Sequence, residues 1–277
     1  MADSISLRFG SVGDRVVVPG GGSGIGRGVA LALADAGATA FALGRRREKL
    51  EETAALAASA PGRVVPLACD VLEEEQVAAA FAAIAAAGGP AAGLAHCAAA
   101  VTYVPAAELT PGEFREVVAS ALFGAFNVLS AWGRALLSVG RPGAAVFVTS
   151  SIAARGTPGA AHSSAGKAAV EAMMRTVARE WGPAGLRLNC FGPGFFPVER
   201  NAEWIGDPAN VEPLEAKIPL GRLGELHEAV GPILFLLSDA AGYTTGETLN
   251  VDGGFRLTPE VLPKWDYENL RGEPWSS

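Results

Sequence analysis

The sequence predicts an α/β domain built as a doubly wound parallel sheet of about seven strands, with helices on both faces. Two observations carry this. Short apolar runs alternate with segments of helical length along nearly the whole chain, and such alternation implies parallel strands joined by right-handed crossovers. A glycine-rich turn follows the first run and opens a helix, at residues 19–27. No linker, repeat or low-complexity break divides the 277 residues, so 1–277 reads as a single domain.

The strands are expected at VVVP (16–19), ATAFAL (38–43), VVPLA (64–68), GLAHCA (93–98), AAVFVT (144–149), LRLNCF (186–191) and TLNVDG (248–253). Residues 77–101 lack formal charge, but they are mostly alanine and broken by Gly88-Gly89-Pro90. A helix, a turn and a strand account for them better than a membrane span of about 20 strongly apolar residues. Thr110-Pro111-Gly112-Glu113 predicts a capping box, with proline where its missing N–H costs nothing. The least patterned stretches are 193–221, read as a substrate-loop insert, and the C-terminal tail 257–277.

The bulk numbers narrow the function. The 22 basic and 29 acidic residues give a net charge of −7, which disfavours nucleic-acid binding. Cys69, Cys97 and Cys190 have no metal-ligand spacing and form no disulfide framework, so we expect no metal and a reducing, cytoplasmic compartment. The N-terminal MADSISLRFG has no apolar core of a signal peptide, and no membrane association is expected.

PGGGSGIGR divides its work among glycines: Gly20 for the turn, Gly24 for close approach of a pyrophosphate, Gly26 for helix–strand packing. Gly22, Ser23 and Ile25 complete the loop, whose helix N-terminus offers amides to phosphates. The second strand ends Gly44-Arg45-Arg46, without the acidic residue that selects NAD. Arg45 and Arg46 can pair with a 2′-phosphate through charge-assisted bonds, which favours NADP(H) over NAD; their other reading is a solvated basic start to the next helix. Asp70, followed by Val71, either meets the adenine amino group or caps the helix starting near Glu73.

These residues resemble the short-chain dehydrogenase/reductase family over residues 14–256: the Gly20/Gly24/Gly26 fingerprint, Asp70, a serine–lysine segment, FGPGFF at 191–196, and IPLGRLGELHEAV with GYTTGETLNVDGG. The resemblance implies a Rossmann-type fold that binds NADP(H), with Ala98 lining the cofactor and Pro193, Gly194 and Phe196 beside the nicotinamide. It also implies a homodimer or homotetramer joined through helices near 111–137 and 162–181.

The family's site uses asparagine, serine, tyrosine and lysine. Here Ser150 matches the serine and Lys167 the lysine. The tyrosine position is Ser163, the asparagine position Ala121, and the usual Asn-Asn-Ala-Gly reads His96-Cys97-Ala98-Ala99. A serine hydroxyl is shorter than a phenol and far less acidic than tyrosine's value of about 10. Ketone reduction, in which a tuned phenol protonates oxygen, is therefore disfavoured. Reduction of an activated C=C bond needs only donors to the thioester oxygen.

HSSAGKAAVEAMMRTVAREWG is similar to the matching part of peroxisomal enoyl-CoA and 2,4-dienoyl-CoA reductases, which also lack that tyrosine. By this analogy Lys167 orients the nicotinamide ribose. Ser150, with Ser163, donates to the oxygen of a small-molecule substrate, an acyl thioester. Carbon is protonated by water or by Tyr103, whose other reading is an aromatic cover for an apolar loop. Tyr243 reads as structural and Tyr267 lies in the tail with Trp265 and Trp275. His162 is read as a hydrogen-bonded structural histidine and His96 as support for the strand end. Phe195, Phe196 and Pro197 form an apolar wall and also resemble sugar-acid members of the family. Two other functions stay open: a carbonyl reductase or alcohol dehydrogenase using Tyr103 as acid, and a non-redox catalyst or cofactor sensor.

Overall fold

The computed structural model describes residues 14–98 and 102–257. Ala99, Tyr267, Trp265, Trp275, the N-terminal decapeptide and the tail beyond 257 lie outside the described residues.

Each expected run forms a strand: β1 Arg15–Pro19, β2 Thr39–Gly44, β3 Arg63–Ala68, β4 Gly93–His96, β5 Gly143–Val148, β6 Leu186–Pro193 and β7 Thr248–Val251. They make one seven-stranded sheet in the order β3-β2-β1-β4-β5-β6-β7. All pairs are parallel. Valine-rich runs such as β1 suit this sheet because both faces are covered.

Alternate residues of one strand feed two cores. Val16 and Val18 pack with α1 (Gly24–Asp35), α2 (Arg47–Leu56) and α9 (Leu226–Leu237). Val17 packs on the other face with α3 (Glu74–Ala86), α5 (Gly124–Leu137) and α6 (Ala161–Trp181). The alternation is the period-two geometry of a strand. Arg187, from β6, closes the end of α9. Its guanidinium donates to the carbonyls of Leu236, Leu237, Ser238 and Ala241.

The capping box forms as expected at the start of α4 (Pro111–Val118): Thr110 Oγ1 accepts from the Glu113 amide, and Glu113 Oε2 accepts from the Thr110 amide. Between α4 and α5 lies one π-turn, Ala119–Phe123. The whole stretch Pro111–Leu137 is long and apolar enough to cross a bilayer, yet Val128, Leu129, Trp132 and Leu136 are buried within the domain.

Two expectations need correction. The 193–221 insert is not simply loop: it carries α7 (Ala202–Ile205) and α8 (Pro208–Glu215). Asp207 Oδ1 accepts from the Ala209 amide at the start of α8, with Pro208 in its first turn. Tyr243 is not structural, since its ring is fully exposed.

Candidate functional site

The sheet order reverses between β1 and β4, and a crevice opens there beyond the carboxyl ends of the strands. It is a cleft of about 820 Å³. At one end the Gly20 turn passes against the end of β4. Gly20 has φ +85°, and a Cβ there would meet Ala98 N and the Cys97 carbonyl carbon at 2.8 Å. A Cβ on Gly26 would lie 2.2 Å from the Gly20 oxygen. Only glycine fits either place.

Every residue expected to touch the cofactor lines this one cleft: Gly20, Gly22, Ser23, Gly24, Ile25, Gly26, Arg45, Arg46, Asp70, Val71, Ala98, Lys167, Pro193, Gly194 and Phe196. Ser150, Ser163 and Tyr103 line it too. The glycine turn, the α1 N-terminus and two arginines at the far rim fit a nicotinamide dinucleotide, whose phosphates need backbone amides and whose size needs such a cleft.

Arg45 and Arg46 are exposed on the rim, while Arg46 also stands at the N-cap of α2. The two readings of this pair are therefore compatible. Asp70 does not cap α3. Its Oδ1 accepts from the Leu72 amide at 3.1 Å in a local turn, and the N-cap of α3 is Glu73.

At the chemical end, α6 projects one face into the cleft. Ala160, Ser163, Ser164 and Lys167 all line it, at helical spacing. Lys167 is buried, and its Nζ donates to the Val148 carbonyl at 2.8 Å, tying α6 to the end of β5. Ser163 is 8% exposed. Ser150 follows β5, and its Oγ accepts weakly from the Ile152 amide at 3.4 Å. Tyr103 is 65% exposed, and its Cβ side packs near Gly159. The phenol is thus in the cleft but at its open side.

The two histidines take structural positions. His162 is fully buried, with Nε2 2.9 Å from Thr102 Oγ1. His96 stacks on Phe147 with centroids 4.9 Å apart. Burial first, and the neighbouring Lys167 charge second, push His96 down to about 3, so it is neutral at physiological pH. Glu171, one turn beyond Lys167, accepts from Thr149 Oγ1 at 3.1 Å. Burial pushes its carboxyl above the usual range, against the Thr149 hydrogen bond and Arg175. Phe196 is buried, and Phe195 meets Phe255 edge-to-face at 5.1 Å. Phe195 and Phe196 line the cleft, whereas Pro197, the third residue of the expected apolar wall, is exposed and outside its lining.

A matching sequence model, described as Enoyl-(Acyl carrier protein) reductase, covers residues 20–256. The chain belongs to the short-chain dehydrogenase/reductase family. It is an oxidoreductase of that family, whose relatives use NAD(P). It is 33% identical over 243 residues to the mouse (Mus musculus) peroxisomal 2,4-dienoyl-CoA reductase, covering 87% of this chain and 83% of that one. It is 38% identical over 141 residues to L-rhamnose 1-dehydrogenase (NAD(P)(+)) of Azotobacter vinelandii, covering 51% of this chain. That match spans only about half (55%) of the rhamnose enzyme. Among solved structures, a protein assigned as an NAD(P)-dependent gluconate 5-dehydrogenase from Beutenbergia cavernae was solved with NADP at low occupancy. It superposes with a TM-score of 0.81 at 34% identity, covering 89% of this chain and 98% of that one.

Sequence reasoning missed several residues of this short-chain dehydrogenase/reductase cleft. Ser164 was findable, because it shares the helical face of Ser163 and Lys167. Ser120 was not. It faces the cleft from the π-turn, while Ala121, at the family's asparagine position, is buried beside Gly166. Thr157, Glu116, Arg27 and Glu199 also line the cleft without a local sequence signal. Burial would raise the Glu199 carboxyl, but amide hydrogen bonds, from its own backbone and Gly24, with the Arg27 and Lys49 charges outweigh this and hold it below the usual range.

Proposed function

We propose that the protein is an NADPH-dependent reductase of an activated carbon–carbon double bond of the enoyl thioester type. The observation that carries this reading is Ser163, a short hydroxyl one helical turn from buried Lys167, where other family members place a phenol. Ketone reduction needs an acid able to protonate oxygen as hydride arrives at carbon. Conjugate reduction needs donors to the thioester oxygen while charge develops there. Ser150 and Ser163 supply hydroxyl donors, and Lys167 adds positive potential beneath them.

A dinucleotide held by the Gly20–Gly26 turn and the rim arginines would supply hydride to the β-carbon. The C=C electron pair shifts towards the thioester oxygen, where the serine hydroxyls hold it as an enolate. A proton from water or Tyr103 then reaches the α-carbon, leaving the saturated thioester and oxidised cofactor. The long match to a dienoyl-CoA reductase supports this substrate class. Arg45 and Arg46 on the rim support NADPH over NADH.

A second reading rests on the polar wall. Thr157, Ser120, Ser164 and Glu116 face the same space as Tyr103, which suits a hydroxylated substrate oxidised or reduced at carbon–oxygen. NADPH consumption with chain-matched 2-enoyl-CoA, 3-oxoacyl-CoA and simple ketones separates the readings. Turnover with the ketones alone defeats the first.

We further propose a homodimer or homotetramer built on Pro111–Leu137 and α6. Phe114, Phe123 and Phe126 are exposed on the first of these, which supports contact with another copy.

A further inference from the structure

The phosphate end of the cleft holds a carboxylate of the protein's own. Glu199 Oε2 accepts from the Gly24 amide at 2.8 Å, at the first residue of α1. Its other oxygen is 3.1 Å from Arg27 Nη1. The same guanidinium donates to the Gly22 carbonyl at 2.6 Å and to Glu52 at 3.2 Å. Val198 lies over the loop as well: a Cβ on Gly24 would be 3.4 Å from Val198 Cγ1. This is the surface that a pyrophosphate must approach, and the amide at the start of α1 is one of its donors.

The turn is held in this position by its own bonds. The Val198 amide donates to Asn201 Oδ1 at 2.8 Å, and Asn201 Nδ2 donates to the Phe196 carbonyl at 2.9 Å. The turn belongs to the insert that begins at Pro193-Gly194, the two residues beside the nicotinamide end. One segment thus touches both ends of the cofactor site.

We propose that residues 198–201 form a latch over the pyrophosphate site, in which the Glu199 carboxylate stands in for a phosphate and must be displaced before the dinucleotide binds. The anion at a helix N-terminus is favourable whether it comes from the protein or the ligand, so the two compete for one amide and one partial charge. Binding then costs the opening of the latch, and apparent affinity falls by the fraction of molecules that are open. Because the described contacts of Glu199 are with Gly24 and Arg27 and not with the rim arginines, it weakens NADPH and NADH alike. The proposal rests on the family reading of the cofactor site and goes beyond it.

The test compares the full-length wild type with Glu199→Gln and Glu199→Ala, titrating NADPH, NADH and ADP by fluorescence or calorimetry. The glutamine variant keeps the side chain's shape and guards against a folding defect in the alanine variant. Both variants should bind all three ligands about three- to tenfold tighter, by a common factor and through faster association. ADP carries a pyrophosphate without nicotinamide, so its gain locates the effect at the phosphates. Unchanged or weaker binding in both variants overturns the latch while leaving the cofactor site intact. Failure of wild type and variants alike to bind any dinucleotide overturns the cofactor reading itself, and the latch with it.

Discussion

Gly26→Ala places a methyl group where the structure leaves no room. The new Cβ would sit 2.2 Å from the Gly20 carbonyl oxygen and 2.7 Å from its carbon, against an ordinary contact of 3.4 Å or more. The obstacle is backbone, so no side-chain rotation relieves it. The first turn of α1 and the Gly20 turn must separate by about 1 Å. Overpacking of this kind costs about 3 kcal/mol at its upper end. The intrinsic helix gain of alanine over glycine returns about 1 kcal/mol. The net loss of about 2 kcal/mol should lower the melting temperature by about 3–4 °C for a domain of 277 residues. The same separation moves the phosphate-facing amides, so NADPH affinity should fall at least about tenfold, the equivalent of losing one charge-assisted hydrogen bond. Thermal unfolding and NADPH titration measure the two effects. Gly231→Ala is the control, because that helical glycine is exposed with nothing within 4 Å; it should stabilise by about 0.5–1 kcal/mol. A Gly26→Ala protein with unaltered melting temperature and affinity would refute the packing argument.

Three further outcomes follow from the site. Arg45→Ala combined with Arg46→Ala should weaken NADPH by at least about tenfold while leaving NADH nearly unchanged, read as paired dissociation constants; equal losses defeat the 2′-phosphate assignment. Ser150→Ala should lower kcat by about a hundredfold with the enoyl substrate, whereas Tyr103→Phe separates the two proton sources: a tenfold or greater fall in kcat assigns the proton to Tyr103, and unchanged turnover assigns it to water. His96 is held neutral near pKa 3, below its unfolded value of about 6.5. The unfolded chain therefore binds the extra proton between those values, so stability is complete above pH 6.5 and declines as pH falls towards 3. His96→Phe should remove at most about 3 kcal/mol of the loss at pH 4, measured by denaturant unfolding; an identical acid limb in both proteins excludes His96 as its source.

The parts of the molecule legible in the sequence are those set by local periodicity. β1 and β5 read as strands because their valines and alanines are buried on both faces, and the Thr110 cap was written in four consecutive residues. Lys167, Ser163 and Ser150 were legible through the resemblance to the family's serine–lysine segment, and α6 with the end of β5 brings all three to one cleft. The insert was less legible, although Asp207-Pro208 carried a helix start that its sparse apolar pattern masked. Tyr243 misled because glycine-rich neighbours suggest a tight turn without saying which way the ring points. The Glu199 contact had no local trace. Its partner Gly24 is 175 residues away in sequence, and only the folded sheet brings the two together. Ser120 was hidden for a related reason, as the π-turn changes which residue of that helix faces the cleft.

The central claim is that Ser163 and Lys167 share the cleft with the reactive ring and support conjugate reduction without a phenol at that position. The most direct test follows NADPH absorbance with a 2-enoyl-CoA and the 3-oxoacyl-CoA of equal chain length. The account predicts oxidation of NADPH with the enoyl thioester and formation of the saturated product, with little turnover of the oxo compound. Consumption of NADPH by the oxo thioester or simple ketones, with none by the enoyl thioester, would contradict it.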